Sequence, residues 1–319
     1  MPDNTAVKEA PKKAVSRKEM TKAQWTWKEM KRNWVAYVMI APFLLIFLIF
    51  TVVPVLLSFF ISFTTFNMLE WPNFVFMDNY IRLFLDDDIF IKAVQNTMIL
   101  AAMTGPISYI LAFSVAWFIN ELDPKIRALV TLIFYAPNIS GGAFLIWSIA
   151  FSGDAYGYVN GMLLYMGLLT EPIQFFKNVK YIMPLVVIIA LWTSLGAGFL
   201  AFIAGLQVVD RSLYEAGAVD GIKNRWQELW YITLPTMRPQ LMFGAVMAIT
   251  GSFGFGGIVT ALCGFPSQDY AAHTIMHHLE DYGGTRFEIG YASAISTLLF
   301  LLMIGANKLV QKLLSKVGQ

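Results

Sequence analysis

Three histidines near the carboxyl end are the residues best suited to acid–base or metal chemistry. His273 and His277 are four residues apart, so a helix would place both imidazoles on one face, where they could hold a metal ion. His278 follows directly, and Asp269 and Glu280 are the candidate carboxylate ligands. Because no nearby cysteine completes a ligand set, we predict a loop surface that faces a partner, and no metal site.

A second group of candidate residues is uncharged and lies within long apolar stretches: Asn138, Trp192, Ser252, Phe253 and Phe255. Amide and hydroxyl groups beside aromatic rings suit a neutral polyol such as a sugar, whose C–H faces stack on rings. We predict that these five residues face a substrate pathway. The alternative for each is an ordinary contact between helices.

The stretch that holds Ser252 is also rich in glycine, at Gly244, Gly251, Gly254, Gly256 and Gly257. Missing side chains permit a close approach of two helices or a local break in one helix. Both interpretations stay open at the level of sequence.

The composition limits the class of protein. Of the 319 residues, 57% are hydrophobic and 14% are charged, against roughly 25% charged in soluble domains. These values exclude disorder and disfavour a water-soluble globule. The net charge of +2 does not suggest a nucleic-acid partner. An intramembrane enzyme or an ion-coupled carrier would need ionisable groups at depth, and the apolar stretches contain none in their interiors.

Six charge-free runs predict the membrane spans that position the uncharged candidates. They are residues 35–61, 93–120, 128–153, 181–209, 239–268 and 289–307. At about 1.5 Å per helical residue, each run can cross a hydrocarbon core of about 30 Å. We therefore predict an all-α polytopic membrane protein whose transmembrane domain covers 35–310. Its six transmembrane helices are predicted at about 35–61, 94–120, 128–151, 181–204, 240–263 and 289–309.

The basic residues predict the orientation. With six spans the termini share one side, and 18 of the 23 Lys and Arg residues then fall on that side. The positive-inside rule makes this side, with both termini, cytoplasmic. We predict a cytoplasmic tail at 1–34 with an interfacial amphipathic segment around Trp25, Trp27 and Trp34, and a second cytoplasmic tail at 311–319.

The longest predicted cytoplasmic loop, 206–238, contains helix signals. Ser212 and Glu215 form a capping-box pattern, and Gly221 offers a left-handed stop. A second helix is predicted at 226–232. The short first helix carries small residues, so it could fit closely against a partner protein. The alternative is an ordinary turn between spans.

The same loop resembles the EAA motif in the permease subunits of binding-protein-dependent ABC importers. The match reads Glu-Ala-Gly at 215–217, then Gly221, then Ile-Thr-Leu-Pro at 232–235. It departs from the family pattern in two ways. Gly217 replaces the second alanine, and ten residues separate Gly221 from Ile232, one more than usual.

Other segments are similar to the carbohydrate-uptake branch of this family, among them Met-Asp-Asn-Tyr at 77–80 and Tyr-Ala-Pro at 135–137. The resemblance implies the type I ABC importer permease fold, a mono- or oligosaccharide as substrate, and a multi-pass location in the bacterial cytoplasmic membrane. The implied partners are a second homologous permease in a heterodimer, a cytosolic ABC ATPase dimer, an extracellular sugar-binding protein and the lipid bilayer.

The resemblance also implies which residues couple transport to ATP. The ATPase-coupling helix comprises Ser212, Leu213, Tyr214, Glu215, Ala216, Gly217, Ala218, Val219, Asp220 and Gly221. ATP and Mg²⁺ are expected on the partner ATPase, because this chain lacks the Gly-x-x-x-x-Gly-Lys-Ser/Thr phosphate loop. We expect no cofactor and no catalytic residue here.

Three alternatives remain open. The first is an ABC permease for another solute, such as a glycerol phosphate, a polyamine or a peptide. The others are an ATP-independent carrier or channel and an intramembrane enzyme. Whether this subunit or its partner permease holds the substrate site is also open.

Overall fold

The computed structural model describes residues 21–314, so the predictions for 1–20 and 315–319 lie outside the described residues. The described chain divides into two compact units, of which the first ends at Leu57 and the second begins at Ser58. Within residues 21–314 the regular structure is helical, apart from one isolated antiparallel bridge between Thr64 and Phe74. The all-α prediction is therefore confirmed.

The first unit contains α1 (Lys22–Arg32) and most of α2 (Trp34–Ile61). A capping box starts α1, in which the side chains of Thr21 and Gln24 each accept a hydrogen bond from the other residue's backbone N–H. The predicted amphipathic segment is thus helical. Its location at a membrane interface stays a prediction.

The second unit contains helices of very different length. In order they are α3 (Asp78–Leu85), α4 (Asp88–Asn120), α5 (Pro124–Ile139), α6 (Leu145–Ala150), α7 (Tyr158–Tyr165), α8 (Val179–Thr193), α9 (Ala197–Val208), α10 (Arg211–Val219), α11 (Arg225–Glu228, continued by a π turn at Leu229–Thr233 and a short turn at Leu234–Thr236), α12 (Arg238–Phe253), α13 (Gly256–Cys263), α14 (Ile275–Glu280) and α15 (Ile289–Leu314).

Four helical segments of the described chain are long and apolar enough to cross a membrane: α2, α4, α12 with α13, and α15. The pair α8 and α9, bent by 40°, makes a fifth if it counts as one span. The remaining predicted span, 128–151, is divided between α5 and α6. Ser140, Gly141 and Gly142 interrupt it, and Gly141 has a φ of +61°, which favours glycine. The count of six spans stays a prediction.

The helix α4 is the centre of the second unit and packs against α8, α9 and α12. Close packing of α9 on α12 depends on two glycines. A Cβ on Gly198 would lie 3.3 Å from the Cα of Gly244, and a Cβ on Gly244 would lie 2.2 Å from the ring of Phe202. Gly244 therefore serves close helix packing, one of the two interpretations left open by the sequence.

Candidate functional site

A cavity of about 400 Å³ lies between α4, α5, α9 and α12. It is lined by Ser108, Tyr109, Ala112, Tyr135, Asn138, Thr193, Ser194, Gly196, Ala197, Gly198, Phe199, Phe202, Gly244, Met247, Ala248, Thr250, Gly251, Ser252 and Phe255. All of these residues are uncharged. The lining combines hydroxyl and amide groups with aromatic rings, which is the chemistry that a neutral polyol requires.

Two helix breaks meet at this cavity. The first break separates α8 from α9, where Asn138 donates a hydrogen bond from Nδ2 to the carbonyl oxygen of Thr193 at 3.2 Å. A Cβ on Gly196 would lie 3.0 Å from that Nδ2, so glycine leaves room for the amide. The second break falls at Gly254 and Phe255, between α12 and α13. Irregular backbone at membrane depth is tolerated where it lines a cavity.

The structure brings three of the five predicted pathway residues together. Asn138, Ser252 and Phe255 line the cavity, whereas Phe253 is buried in the cluster formed by α12, α14 and α15. Trp192 lies outside the lining and packs edge-on against Trp147, with 5.6 Å between ring centroids. Residues 254 and 255 interrupt the helix next to Phe253, which is why two nearby phenylalanines have different surroundings.

Sequence reasoning missed Ser108 and Tyr109, which α4 contributes to the lining. The Tyr109 ring packs edge-on against Phe202, with a centroid distance of 5.5 Å. The available signal was a Ser-Tyr pair inside a charge-free run, the same kind of signal that identified Asn138.

The second candidate site is loop 206–238, at the other end of α9. Its first helix, α10, is capped by Asp210, whose carboxylate accepts a hydrogen bond from the N–H of Ser212 at 3.0 Å. The predicted capping box of Ser212 and Glu215 is therefore wrong. Asp210 already has extended backbone angles two residues earlier, and a carboxylate suits the positive end of a helix. Hydrogen bonds from Ser212 lower the pKa of Asp210.

The stop at the end of α10 is where the sequence predicted it. Gly221 has a φ of +96°. The N–H of Ile222 donates to the carbonyl oxygen of Gly217 at 2.9 Å, and the N–H of Gly221 donates to that of Ala218 at 3.3 Å. This pair of bonds is a Schellman motif, which satisfies the last carbonyl groups of the helix.

Two contacts hold α10 on the rest of the loop. The hydroxyl of Tyr214 is hydrogen-bonded to that of Thr233 at 2.9 Å. Gly217 is buried, and a Cβ there would lie 2.7 Å from Cδ1 of Ile232 and 3.0 Å from Cδ1 of Ile222. Gly217, which replaces the second alanine of the motif, thus lets α10 pack closely against Ile222 and Ile232.

The extra residue between Gly221 and Ile232 also has a structural counterpart. The helix α11 begins at Arg225, capped by Asn224, and continues as a π turn at Leu229–Thr233. A π turn is a bulge in the i to i+4 pattern, so it can take up one additional residue without ending the helix.

The outer face of α10 is exposed. Leu213 and Ala216 are exposed, and Val219 is 88% exposed. Apolar side chains fixed on a short, capped helix are typical of a surface that binds another protein.

The loop is also tied to the end of α4. Arg225 forms ion pairs with Glu121 at 2.9 Å and with Glu228 at 2.8 Å. Beside them, the rings of Trp117 and Trp226 pack with 5.3 Å between centroids. The helix α11, which follows α10 in the loop, therefore contacts α4, the helix that contributes Ser108 and Tyr109 to the cavity.

The three histidines lie in a segment that we call the histidine loop (residues 264–288), and they are buried. The prediction of a partner-facing surface at these side chains is therefore wrong. His278 Nε2 lies 3.0 Å from Oδ2 of Asp87, and His273 Nε2 lies 3.3 Å from His278 Nδ1. Asp87 also accepts a hydrogen bond from the hydroxyl of Tyr291 at 2.8 Å. Within residues 21–314 no group of three or more metal-ligating side chains could hold an ion.

This network shifts the pKa of its members. Burial alone raises the pKa of Asp87, but hydrogen bonds from His278, the N–H of Phe90 and Tyr291 hold it well below its usual range. Burial lowers the pKa of His273 to about 3 and that of His277 to about 4. Both imidazoles are therefore neutral near pH 7.

The histidine loop is fastened to α4 by two polar side chains. Asn96 Nδ2 donates to the carbonyl oxygens of Tyr270 and His273, both at 2.9 Å. Thr97 Oγ1 accepts from the N–H of Ile275 at 2.9 Å. The loop is thus part of the fold of the second unit.

The apolar helices and the uncharged cavity at two helix breaks are typical of a multi-pass helical membrane protein of the permease class. No known family model matches the chain.

Comparison with individual proteins identifies the family. The chain is 30% identical to the inner membrane ABC transporter permease protein YcjO of Escherichia coli, over 75% of this chain and 80% of the relative. It is 29% identical to the probable ABC transporter permease protein YesP of Bacillus subtilis, over 88% and 90%. It is 28% identical to the arabinooligosaccharides transport system permease protein AraP of Halalkalibacterium halodurans, over 84% of each. The chain therefore belongs to the family of ABC transporter permease proteins.

Solved structures give the same result. A chain of a bacterial ABC transporter involved in the import of the acidic polysaccharide alginate is 26% identical, with a TM-score of 0.68 over 90% of this chain and 98% of that chain. A second structure, of the alginate transporter in complex with an alginate pentasaccharide-bound periplasmic protein, is 24% identical and shows the shared fold, with a TM-score of 0.71 over 92% and 99%.

Proposed function

We propose that this chain forms half of the translocation pathway of an ATP-driven importer for mono- or oligosaccharides, and that α10 couples the pathway to a cytosolic ATPase. The observation that carries the proposal is the construction of α10. It is capped at both ends, supported by Tyr214 and Gly217, and exposes Leu213 and Val219 on its outer face. A short, rigid helix with exposed apolar side chains can transmit a displacement of a bound partner protein to the rest of the chain.

In this proposal the ATPase dimer binds ATP and Mg²⁺, and its closure displaces α10. Motion would reach the cavity by two routes. One runs from α10 through the Tyr214–Thr233 contact to the start of α12, and the other from Arg225 to Glu121 at the end of α4. The chain itself is a transport subunit and would need no cofactor.

A neutral saccharide fits the cavity best. Its lining has no Lys, Arg, Asp or Glu among the described residues, so neither an anionic solute such as a glycerol phosphate nor a polyamine has a counter-charge there. The names of the relatives support a sugar, since AraP is a permease for arabinooligosaccharides. Alginate is acidic, and the uncharged lining favours a neutral sugar instead for this chain.

The remaining partners are also part of the proposal. A second, homologous permease would close the cavity, because Asn138 is exposed in the isolated chain. An extracellular sugar-binding protein would deliver the substrate, as the periplasmic protein in the alginate complex suggests. The bacterial relatives support a location in the cytoplasmic membrane, and the distribution of Lys and Arg supports both termini on the cytoplasmic side.

The test uses the complex that co-purifies with this chain, reconstituted in vesicles with its binding protein and a panel of neutral and acidic oligosaccharides. We expect a neutral sugar to stimulate ATP hydrolysis and to accumulate in the vesicles. Phe255→Ala should lower sugar uptake several-fold at unchanged melting temperature, because Phe255 lines the cavity. The matched variant Phe253→Ala should lower the melting temperature instead, because Phe253 is buried. Stimulation by acidic sugars alone would refute the neutral substrate.

A further inference from the structure

The segment between α2 and α3 forms a compact hairpin, which we call the Trp71 hairpin (residues 62–77). Two backbone bonds join its arms, from the N–H of Val75 to the carbonyl oxygen of Phe63 at 2.9 Å and from the N–H of Thr65 to that of Asn73 at 3.0 Å. The bridge between Thr64 and Phe74 lies beside them.

The tip of the hairpin has its own fixed conformation. The side-chain oxygen of Asn67 accepts hydrogen bonds from the N–H groups of Leu69 at 3.1 Å and Glu70 at 3.0 Å. This is a turn that an asparagine side chain stabilises locally. A local turn therefore fixes the conformation of the tip.

The base of the hairpin is fixed to two helices. The amide of Asn79 in α3 donates to the carbonyl oxygens of Ser62 at 2.8 Å and Thr64 at 2.9 Å. The N–H of Gly290 in α15 donates to the carbonyl oxygen of Phe66 at 2.9 Å, and a Cβ on Gly290 would lie 1.9 Å from the oxygen of Thr64. Glycine is required at this close approach.

On this fixed base the hairpin exposes large apolar side chains. Leu69 is 91% exposed and Trp71 is 90% exposed, and Met68, Phe74 and Phe76 are exposed as well. A patch of this size is rarely left in water. Some apolar or interfacial medium must cover it in the working protein.

The position of the hairpin in the chain points to the bilayer. The hairpin follows directly on α2, which is apolar enough to cross a membrane and ends at Ile61. Glu70 is the only charged residue of the hairpin. Tryptophan is enriched where a span leaves the hydrocarbon core.

The next helix, α3, also exposes apolar side chains, beside the charged residues Asp78 and Arg82. It buries Leu83 and exposes the apolar side chains of Ile81, Phe84 and Leu85. Within residues 62–77, however, the only charge is Glu70, whereas the interface with a soluble partner that docks and leaves in each cycle has a polar rim. The lipid interface is the occupant that this chemistry fits.

We propose that the Trp71 hairpin is an interfacial membrane anchor, whose tip inserts Leu69 and Trp71 into the boundary between headgroups and acyl chains. The inference does not depend on the transported solute or on the coupling role of α10.

The chain makes the test simple, because Cys263 is its only cysteine. In a Cys263→Ser background, Trp71→Cys and, separately, Leu69→Cys are labelled with a nitroxide in the complete co-purified complex. The complex is reconstituted in vesicles of phosphatidylethanolamine and phosphatidylglycerol. Collision with dissolved oxygen and with a water-soluble nickel chelate measures the depth of each label. Glu171→Cys, at an exposed charged position, provides the aqueous reference.

We expect both hairpin labels to collide with oxygen in preference to the nickel chelate, at a depth of about 5 to 10 Å below the headgroup surface. The label at position 171 should show the opposite preference. Three results would overturn the proposal. The hairpin labels could be as accessible to the chelate as the reference, they could be shielded from both reagents by a protein subunit, or they could become shielded only when the binding protein is added.

Discussion

Loop 206–238 and the histidine loop each contain a short helix, and they use it in opposite ways. The helix α10 keeps its contacts underneath, through Tyr214 and Gly217, and leaves Val219 exposed. The helix α14 turns His277 and His278 inward, where both are buried. The first arrangement leaves apolar side chains exposed, as the proposed contact with another protein requires, whereas the second closes the fold of the chain itself. Polar composition therefore does not by itself indicate which loop meets a partner.

The largest effect should come from breaking the end of α10. In Gly221→Asp, a residue with a side chain must adopt a φ of +96°, which costs about 1 to 2 kcal/mol and disturbs the Schellman motif. We expect ATP-driven uptake in vesicles to fall to background while the subunit still assembles in the membrane.

A matched control separates this effect from backbone strain. Gly167 has a φ of +70° in a segment with no neighbour within 4 Å of an added Cβ. Gly167→Asp carries a similar backbone cost and should transport normally. Equal losses in both variants, or normal uptake by Gly221→Asp, would contradict a coupling role for α10.

The next effect should appear in the histidine loop as lost stability. In Asp87→Ala, the donors of His278, Tyr291 and the N–H of Phe90 lose their acceptor. Unsatisfied buried donors and a lost helix cap together should reduce the free energy of unfolding by about 3 kcal/mol or more.

Thermal unfolding of the purified protein in detergent measures this change. The neighbouring Asp88 is exposed, so Asp88→Ala should change stability by less than about 0.5 kcal/mol. The prediction fails if both variants unfold at the same temperature as the parent protein.

A graded effect on stability should follow pH. Because the folded pKa of His273 is about 3 and that of His277 about 4, both are neutral in the fold but take up a proton on unfolding below about pH 6.5. Their contribution to stability is complete above pH 6.5 and falls as the pH decreases, by about 2 kcal/mol per histidine down to pH 5. Asp87, whose pKa is depressed, adds a further loss only below about pH 4.

The measurement is the melting temperature of the protein from pH 7 to pH 5. His277→Gln should flatten the dependence by about half, since it removes one of two titrating groups. A melting temperature that is constant over this range would show that the histidines are not buried in solution.

Much of the fold could be predicted, because the spans depend on local composition. The charge-free runs correspond in position to α2, α4, α8 with α9, α12 with α13, and α15. The run at 128–153 was read as one span because Ser140, Gly141 and Gly142 are uncharged, although they interrupt the helix. Composition detects apolarity but does not detect a break within it.

The candidate sites likewise contain features that the sequence could predict and features that it could not. The stop at Gly221 was predictable because a left-handed residue is a local requirement. The burial of His278 was not, since its partner Asp87 lies 191 positions away in sequence. The different surroundings of Phe253 and Phe255 could not be predicted either. They depend on a helix break that the glycines allow but do not require.

The most direct test of the central claim asks what α10 touches in the working complex. In a Cys263→Ser background, Val219→Cys carries a benzophenone cross-linker and is irradiated in the co-purified complex, with and without ATP. We predict a covalent adduct between this chain and the ATPase subunit, with a yield that changes when ATP is added, because Val219 is exposed on the outer face of α10. Cross-linking to lipid or to the second permease, without an ATPase adduct, would contradict the account.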